Sequence, residues 1–350
     1  ELFENGRFGH GKNQVMKPRH VAILGASGAV GQEFLPLLEE RNFPIESLKL
    51  LSSSRSAGKT LKFRGEEIKI EEATEASFKG VDLVLASAGS SVSRSLLPHA
   101  VKAGAVSVDN TSAFRMDPDV PLVIPEVNPE DVKNHHGIIA NPNCSTIIML
   151  VPLFPIYRVA KIRRIVVATY QSASGAGARA MQELDRQTRE VLEGKKATTD
   201  VFPHQIAFNL FSHNSPIKED GYCEEEIKMR NETKKIFHDD ALEVVATTVR
   251  VPIFRAHSEA IFIQTESKVP LEQITKMLHE APGVSVVDDR EKNVFPMPLE
   301  AVGRDDVLVG RLREDHSIEN GLALFVSGDQ LRKGAALNAV QIAELACQNN

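Results

Sequence analysis

Residues 20–43, with the sequence HVAILGASGAVGQEFLPLLEERNF, constrain the fold more than any other stretch of this chain. A short apolar run ends in glycine and is followed by apolar residues at helical spacing, among them Phe34, Leu37 and Leu38. A strand, a glycine-rich turn and a helix in this order start a β-α-β unit. Because the same alternation returns over residues 81–110, the sequence predicts a doubly wound parallel sheet.

The second half of the chain has a different pattern and predicts an α+β domain with a mixed sheet. Long runs rich in β-branched residues occur at 162–175, 243–254, 257–267 and 321–329, with helical segments between them. The last residues, about 332–350, again have the composition of a helix. A chain of 350 residues is long enough for about two domains.

The glycines of the first turn have the spacing GxxGxxG at Gly25, Gly28 and Gly31. Gly25 permits a tight turn, Gly28 lets the backbone approach a pyrophosphate, and Gly31 lets the helix pack closely against the strand. The amide groups at the start of the helix favour a phosphate charge. The pattern predicts dinucleotide binding, although a glycine-rich turn in an unrelated β-α unit has the same appearance.

The residues after the second strand predict which dinucleotide is bound. Sites that prefer NAD place Asp or Glu there to hold the ribose hydroxyls, whereas this chain has SSSRS, with Arg55 and Ser56 and no carboxylate. A guanidinium can pair with a 2′-phosphate. NADP is therefore predicted, and the alternative is an ordinary exposed basic loop.

Cys144 precedes the apolar segment STIIMLVPLF, which predicts a helix that begins at this residue. The positive end of a helix dipole favours a thiolate, so Cys144 is a candidate nucleophile. Free cysteines are also often buried packing residues, and the local sequence leaves both interpretations open. Only Cys223 and Cys347 accompany it, without CxxC spacing, which argues against a disulfide framework and against a structural metal site.

Further polar candidates lie elsewhere in the chain. His257 follows the segment that contains Arg250, whose guanidinium could hold a substrate carboxylate if it reaches the same pocket. A lone histidine is nevertheless more often structural. Asn110 and Arg115 follow the fourth predicted strand, and ligands of open α/β sheets bind at such strand ends. The run EEEIK at 224–228 has the pattern of a solvated helix face, with an i,i+3 pair of opposite charges.

Other properties exclude several classes of protein. A net charge of −6 and the absence of Trp argue against nucleic-acid binding, and no apolar stretch approaches the roughly 20 residues that span a membrane. Residues 1–18 are polar and lack the apolar core of a secretory signal, so they are predicted to be a disordered leader. The cytoplasm is the expected location, with the plastid stroma as the alternative.

Ten stretches taken together resemble aspartate-semialdehyde dehydrogenases, in particular the plant and Gram-positive type. They occur in order between about residues 20 and 346 and are GASGAVG, SSRSAGK, VDNTSAFRM, PLVIPEVNPE, NPNCSTI, TYQSASGAG, FNLFSHN, GYCEEEIK, RVPIFRAHSE and GDQLRKGAALNAVQIAE. The resemblance implies a homodimeric, NADP-dependent oxidoreductase. It would reductively dephosphorylate L-4-aspartyl phosphate to L-aspartate 4-semialdehyde through a thioester, on the route to lysine, threonine, methionine and isoleucine.

The same resemblance implies a role for individual residues. Cys144 matches the nucleophile, His257 the general acid and base, and Gln171 the amide that helps to place the substrate. The positions implied for substrate and phosphate binding are Arg115, Lys228, Arg250, Glu225 and Asn110. Those implied for the cofactor are Gly25, Ser27, Gly28, Ala29, Val30, Arg55, Ser56, Ser174, Gly175 and Asn338.

The resemblance also implies the domain organisation and leaves two alternatives. A Rossmann-type NADP-binding domain would comprise residues 19–143 with 332–350, and a catalytic and dimerisation domain residues 144–331, with Cys144 at their boundary. The nearest rival enzyme is N-acetyl-γ-glutamyl-phosphate reductase, which also acts on an acyl phosphate. The other alternative, a catalytically silent NADP-binding relative, would be expected to lack Cys144, Gln171 or His257, which are all present.

Overall fold

The computed structural model describes residues 3–4, 7–8 and 16–348. The chain divides into two compact units, Glu1–Asn143 with Ala335–Asn350, and Cys144–Gly334. Of the disordered leader predicted at 1–18, the structure describes residues 3–4, 7–8 and 16–18, and the rest lies outside the described residues.

The first unit is built around a sheet of parallel strands. Its elements are β1 (Phe3–Glu4), β2 (Arg7–Phe8), β3 (Arg19–Leu24), α1 (Ala29–Glu40), β4 (Ile45–Ser52), β5 (Thr60–Phe63), β6 (Glu66–Glu72), β7 (Leu83–Ala86), α2 (Ser90–Lys102), β8 (Val106–Asp109) and β9 (Ile138–Ala140). The sheet has the order β5-β6-β4-β3-β7-β8-β9, while β1 and β2 pair with each other. All neighbours in the order run parallel except β5 and β6. The predicted doubly wound sheet is confirmed, with an antiparallel edge strand added.

The second unit contains the predicted mixed sheet. Its elements are α3 (Cys144–Ala160), β10 (Ile162–Gln171), α4 (Ala178–Leu192), β11 (Phe211–Ser212), α5 (Glu224–Phe237), β12 (Glu243–Arg250), β13 (His257–Thr265), α6 (Leu271–Glu280), β14 (Val284–Val286), α7 (Pro298–Ala301), β15 (Val307–Asp315) and β16 (Gly321–Gly328). The strand order is β11-β12-β10-β13-β16-β15-β14. Strand β10 runs parallel to β12 and antiparallel to β13, so the sheet is mixed as predicted.

The chain then returns to the first unit through a π-helical turn, Arg332–Ala336, and the helix α8 (Leu337–Gln348). Successive residues of β3 point to opposite faces of the sheet because side chains alternate along a strand. Val21 and Ile23 pack in the core that includes α1 and α8, whereas Ala22 and Leu24 pack in the core that includes α2. Both faces of this sheet are therefore covered, which explains the continuous apolar run of β3.

The two faces of the second sheet differ in composition. Alternation along β10, β12 and β13 buries one set of side chains under α3 and α5. On the opposite face Tyr170, Val245 and Phe262 are each more than a third exposed. The second sheet thus has one buried, helix-covered face and one partly apolar, uncovered face.

Helix α3 is apolar almost all round, since eleven of its seventeen residues are buried. It is a core helix of the second unit and contacts four neighbouring strands of the sheet. Within the described part of the chain, no helix combines the length and the apolar composition that crossing a bilayer would require.

Candidate active site

Three polar side chains lie side by side across the neighbouring strands β12, β10 and β13 of the second sheet. Gln171 at the end of β10 pairs in register with Arg250 at the end of β12. On the other side Tyr170 pairs with Ser258, which brings Gln171 next to His257 at the start of β13. We call Arg250, Gln171 and His257 the front row. All three side chains are almost fully buried on the helix-covered face.

A second polar row lies one step along the same strands, and we call it the back row. It consists of Thr248, Thr169 and Glu259, which pair across β12, β10 and β13. The Glu259 side chain is fully buried, and neither of its carboxyl oxygens has a hydrogen-bond partner among the described residues. Burial raises the pKa of Glu259 well above its usual value, which favours the neutral carboxyl group.

Cys144 is the first residue of α3 and is half-buried, so the predicted helix start is confirmed. The side chain of Arg250 interacts electrostatically with that of Cys144. Gly334 packs against the cysteine: a Cβ at Gly334 would lie 3.0 Å from Cys144 Cβ. The positive end of the helix and the guanidinium both stabilise a negative charge on the sulfur, as a nucleophilic thiolate requires.

The amide of Gln171 connects α3 with α5. Its Nε2 donates to Ser145 Oγ at 3.1 Å and lies 3.5 Å from Glu225 Oε1. On the other side of the same carboxylate, Glu225 Oε2 lies 3.7 Å from Lys228 Nζ. The solvated helix face indicated by the local pattern is wrong for Glu225, which is only 6% exposed. Strand pairing places Gln171 under the first turn of α5 and turns Glu225 inward.

His257 is held with one ring nitrogen occupied. The backbone N–H of Ser172 donates to Nδ1 at 3.1 Å, so the neutral ring carries its proton on Nε2. That Nε2 is buried and has no hydrogen-bond partner among the described residues. Burial, followed by the nearby charge of Arg250, lowers the pKa of His257 well below its usual value. The ring is a neutral imidazole whose remaining N–H is available to a ligand.

Arg250 contacts two groups through its terminal nitrogens. Nη1 donates to the carbonyl oxygen of Ser172 at 3.1 Å, and Nη2 lies 2.8 Å from Nε2 of His213. The Nε of Arg250 is buried without a hydrogen-bond partner among the described residues. Burial lowers the pKa of Arg250, and the charges of Glu225 and Cys144 counteract this change, so the guanidinium remains charged.

His213 is a site residue that the local sequence does not single out. From its neighbours alone it is predicted to be a surface or packing residue, together with His135, His136, His204 and His279. This prediction is wrong for His213, because its partner Arg250 lies 37 positions further along the chain. The only signal is its place in FNLFSHN, one of the stretches that carry the resemblance.

Arg115 and Asn110 lie together in the first unit, at the carboxyl ends of strands. Arg115 Nε donates to the carbonyl oxygen of Asn141 and Nη2 to that of Asn110, both at 2.9 Å. Asn141 also donates its side-chain amide to Asn110 Oδ1. Lys228 belongs to the second unit, so the phosphate-binding pair of Arg115 and Lys228 remains a prediction.

A cleft of about 670 Å³ opens beside the glycine turn of the first unit. Gly25, Ser27, Gly28 and Arg55 are among the residues that line it. A Cβ at Gly25 would lie 2.6 Å from the carbonyl oxygen of Ser87, so only glycine fits. No side chain caps α1 at Gly28, which leaves the first turn of the helix suited to an anion. These features fit a bound dinucleotide.

The other predicted cofactor residues are divided between the two units. Ala29 and Val30 form the start of α1, and Ser56 follows Arg55. Asn338 is buried in α8, where its amide donates to Val123 O at 3.0 Å and to Asn141 Oδ1 at 2.7 Å.

Ser174 and Gly175 belong to the second unit, and Gln330 donates to the Ser174 hydroxyl. Their contact with a cofactor remains a prediction, as does that of Asn338. For metals, the described residues contain no cluster of three or more His, Cys, Asp or Glu arranged to hold an ion.

Comparison with known proteins matches both units of the chain to semialdehyde dehydrogenases. The family model described as "Semialdehyde dehydrogenase, NAD binding domain" matches residues 20–135, and the one described as "Semialdehyde dehydrogenase, dimerisation domain" matches residues 153–333. Aspartate-semialdehyde dehydrogenase from Synechocystis sp. is 59% identical over 328 residues, which cover 94% of this chain and 97% of that protein.

Solved structures agree with this assignment. Aspartate semialdehyde dehydrogenase II from Vibrio cholerae, complexed with ASA, has a TM-score of 0.92 at 47% identity and covers 94% of this chain and 98% of its own. The enzyme from Candida albicans, solved with NADP, has a TM-score of 0.74 at 26% identity, with coverages of 95% and 99%. The resemblance seen in the sequence stretches is confirmed, and the chain belongs to the aspartate-semialdehyde dehydrogenase family.

Proposed function

We propose that the chain converts L-4-aspartyl phosphate to L-aspartate 4-semialdehyde with release of phosphate, using NADPH as the reductant. The observation that carries this proposal is the convergence of Cys144, at the start of α3, with the front row of Arg250, Gln171 and neutral His257. A thiol at a helix terminus suits acyl transfer, and the front row offers partners for a small polar substrate.

Cys144 performs the first step. Its thiolate attacks the acyl carbon and forms a C–S bond. The bond between the acyl carbon and the bridging oxygen then breaks, and phosphate leaves with that oxygen and the electron pair. Arg115 and Lys228 are proposed to bind the phosphate, because cationic groups stabilise the charge that develops on the leaving group. The thioester that remains on Cys144 is electrophilic enough to be reduced, unlike an ester or an amide.

The cleft beside the glycine turn would hold the cofactor, with Gly25, Ser27 and Gly28 around its phosphates. Arg55, which lines this cleft, would pair with the 2′-phosphate of NADP. When bound, NADPH supplies the hydride that reduces the thioester.

His257 is proposed to act on the oxygen of the reacting carbonyl. Its Nε2–H shares a proton with this oxygen as negative charge builds up, and retains it when the carbonyl re-forms and the thiolate of Cys144 leaves. The low pKa keeps the ring neutral, so the residue works without a buried charge next to Arg250.

Two further residues would select the substrate. Arg250 would hold the α-carboxylate through its charged fork, and Glu225 would hold the α-ammonium group. Gln171 contacts Glu225 directly and lies beside Arg250 in the front row, so it can fix the orientation of the substrate relative to Cys144.

We also propose that the protein is a homodimer that pairs through the uncovered face of the second sheet. The dimerisation-domain family model spans this unit, and the face exposes Tyr170, Val245 and Phe262. Sedimentation at micromolar concentration should give twice the mass of the chain, and a monomer would contradict this part of the proposal.

The direct test follows the reverse reaction. L-Aspartate semialdehyde, NADP and phosphate together should generate NADPH, and omission of phosphate should stop it. NAD should give a lower kcat/KM than NADP, because Arg55 can pair with the 2′-phosphate that NAD lacks. A preference for N-acetyl-glutamate semialdehyde would favour the rival reductase instead.

The variant Cys144→Ala should lose at least about four orders of magnitude in turnover, since no other group can form the thioester. It should still bind NADP, as measured by fluorescence titration. Cys347→Ala is the matched control, because this buried thiol lies in α8 of the first unit and should be replaceable without loss of turnover. Near-normal activity of Cys144→Ala would remove the mechanism.

A further inference from the structure

A short segment of the second unit, residues 211–215 with the sequence FSHNS, borders both residues proposed to hold the substrate. Phe211 pairs in register with Arg250 across β11 and β12. Immediately after this pair, the backbone N–H of His213 donates to the carbonyl oxygen of Thr248 at 2.9 Å. The backbone of His213 is therefore fixed alongside the strand that carries Arg250.

The contact between the two side chains determines how His213 is protonated. Nε2 of His213 lies 2.8 Å from Nη2 of Arg250, and a guanidinium can only donate. Nε2 must then be the acceptor, which leaves the ring proton on Nδ1. Nδ1 lies 3.1 Å from both the Oγ and the backbone nitrogen of Ser215, and only the hydroxyl can accept this proton. His213 is a neutral imidazole placed between a permanent donor and a hydroxyl acceptor.

The groups around His213 agree with this assignment. Burial is the largest effect and lowers the pKa of His213 to about 4, while the charges of Glu225 and Glu226 raise it and those of Arg250 and Lys228 lower it further. A protonated ring would place a second positive charge against Arg250. The neutral form therefore prevails near pH 7.

Ser215 extends the contact to the other side of the site. Its hydroxyl oxygen accepts the backbone N–H of Glu225 at 3.2 Å, in the first turn of α5. The segment thus connects Arg250, the residue proposed for the α-carboxylate, with Glu225, the residue proposed for the α-ammonium group.

We propose that His213 is a positioning residue that fixes the guanidinium of Arg250 for the α-carboxylate of the substrate. This rests on the role given to Arg250 in the proposed function. His213 occupies Nη2 and the Ser172 carbonyl occupies Nη1, so rotation of the guanidinium is blocked. The buried Nε–H and the second N–H of each terminal nitrogen remain for a carboxylate.

The test measures KM and kcat of His213→Ala and His213→Gln with L-aspartate semialdehyde. His213→Ala should raise KM about tenfold and leave kcat within about threefold, since Cys144 and His257 keep their own contacts. KM for NADP and for phosphate should not change. His213→Gln should recover most of the loss, because its Oε1 can accept from Arg250 as Nε2 does.

His204→Ala is the matched control. The ring of His204 packs at 5.5 Å against that of Phe211, which belongs to β11, but His204 makes no hydrogen bond to Arg250. Its removal should leave KM unchanged. An unchanged KM in His213→Ala, or a loss in His213→Gln as large as in His213→Ala, would overturn the inference.

Arg250→Ala separates this inference from the proposed function. If Arg250→Ala raises KM for the semialdehyde and His213→Ala does not, His213 has no positioning role and the function stands. If Arg250→Ala leaves KM unchanged, the carboxylate is bound elsewhere, and both the role of Arg250 and the inference drawn from it are wrong.

Discussion

Two glycine-rich turns, one in each unit, follow a buried strand and lead into a helix, yet their glycines meet different neighbours. GASGAVG connects β3 with α1, and SASGAG connects β10 with α4. A Cβ at Gly31 would lie 2.2 Å from the carbonyl oxygen of Gly25, an atom of the same turn. A Cβ at Gly175 would instead lie 3.0 Å from Arg250 Nη1 and His257 Nε2, which are atoms of the candidate active site.

The difference shows that a glycine can be required for two separate reasons. Gly31 is required by the backbone, because the turn cannot close around a side chain. Gly175 is required by the front row, because its missing side chain leaves room beside two polar groups. Gly31 is required for folding and Gly175 for the reaction. Replacing each of them by alanine should therefore separate the two requirements.

The largest effect is expected for Gly31→Ala. The added Cβ meets backbone atoms that cannot move without opening the turn, so we expect a loss of about 3 kcal/mol or more in the free energy of unfolding. Chemical denaturation measures it. Gly28→Ala is the control, because its Cβ would lie 3.3 Å from the nearest atom at φ −79°, and it should lose about 1 kcal/mol or less. An equal loss of unfolding free energy in Gly31→Ala and Gly28→Ala would contradict this interpretation of Gly31.

Gly175→Ala should show the opposite behaviour. This glycine does not have a positive φ, so alanine can adopt its backbone conformation, and the free energy of unfolding should stay within about 1 kcal/mol. Turnover should fall about tenfold or more, because the Cβ crowds His257 Nε2 and displaces the reacting oxygen. Steady-state kinetics and denaturation of one preparation provide both numbers. An unstable but fully active variant would reverse the interpretation.

The smallest effect on turnover is expected one row behind the site, at Glu259. Because burial raises its pKa, the folded protein keeps a proton that the unfolded chain releases above its usual pKa of about 4.5. Stability is therefore lost as the pH rises through that window. Glu259→Gln removes the ionisation, and its advantage over the parent should grow by about 1.4 kcal/mol for each pH unit above pH 5 over which the folded protein keeps the proton.

Denaturation curves at several pH values test this, and a constant difference would mean that Glu259 is ionised in the folded protein. Such a result would also assign the back row to the chemistry of the site. A growing difference would leave the back row as part of the sheet, so that only the front row and its turn serve the reaction.

The sequence predicts the first unit better than the second because the signals of the first are local. The glycine spacing, the apolar run of β3 and the helical spacing of α1 all lie within 24 consecutive residues. Strands β5 and β6 escape prediction because each has only two alternating apolar residues among charged, exposed ones, Leu61 and Phe63 in β5 and Ile68 and Ile70 in β6.

The front row, in contrast, depends on strand order. Strand β10 lies between β12 and β13, and only this order makes neighbours of Gln171, Arg250 and His257. The spacing of apolar residues along the sequence does not reveal the order of the strands. Family resemblance supplied Gln171 and the roles of the other two. It did not supply the contact between His213 and Arg250, which requires the pairing of β11 with β12.

The uncovered face of the second sheet has a consequence for handling the protein in dilute solution. Separation of two paired chains would expose Tyr170, Val245 and Phe262 to water, and apolar strand surfaces of this kind are where aggregates begin. Because the paired chains are in equilibrium with separate ones, the melting temperature should increase with protein concentration. Extreme dilution would then inactivate the enzyme by separating the paired chains, with no damage to its sulfur or its imidazole.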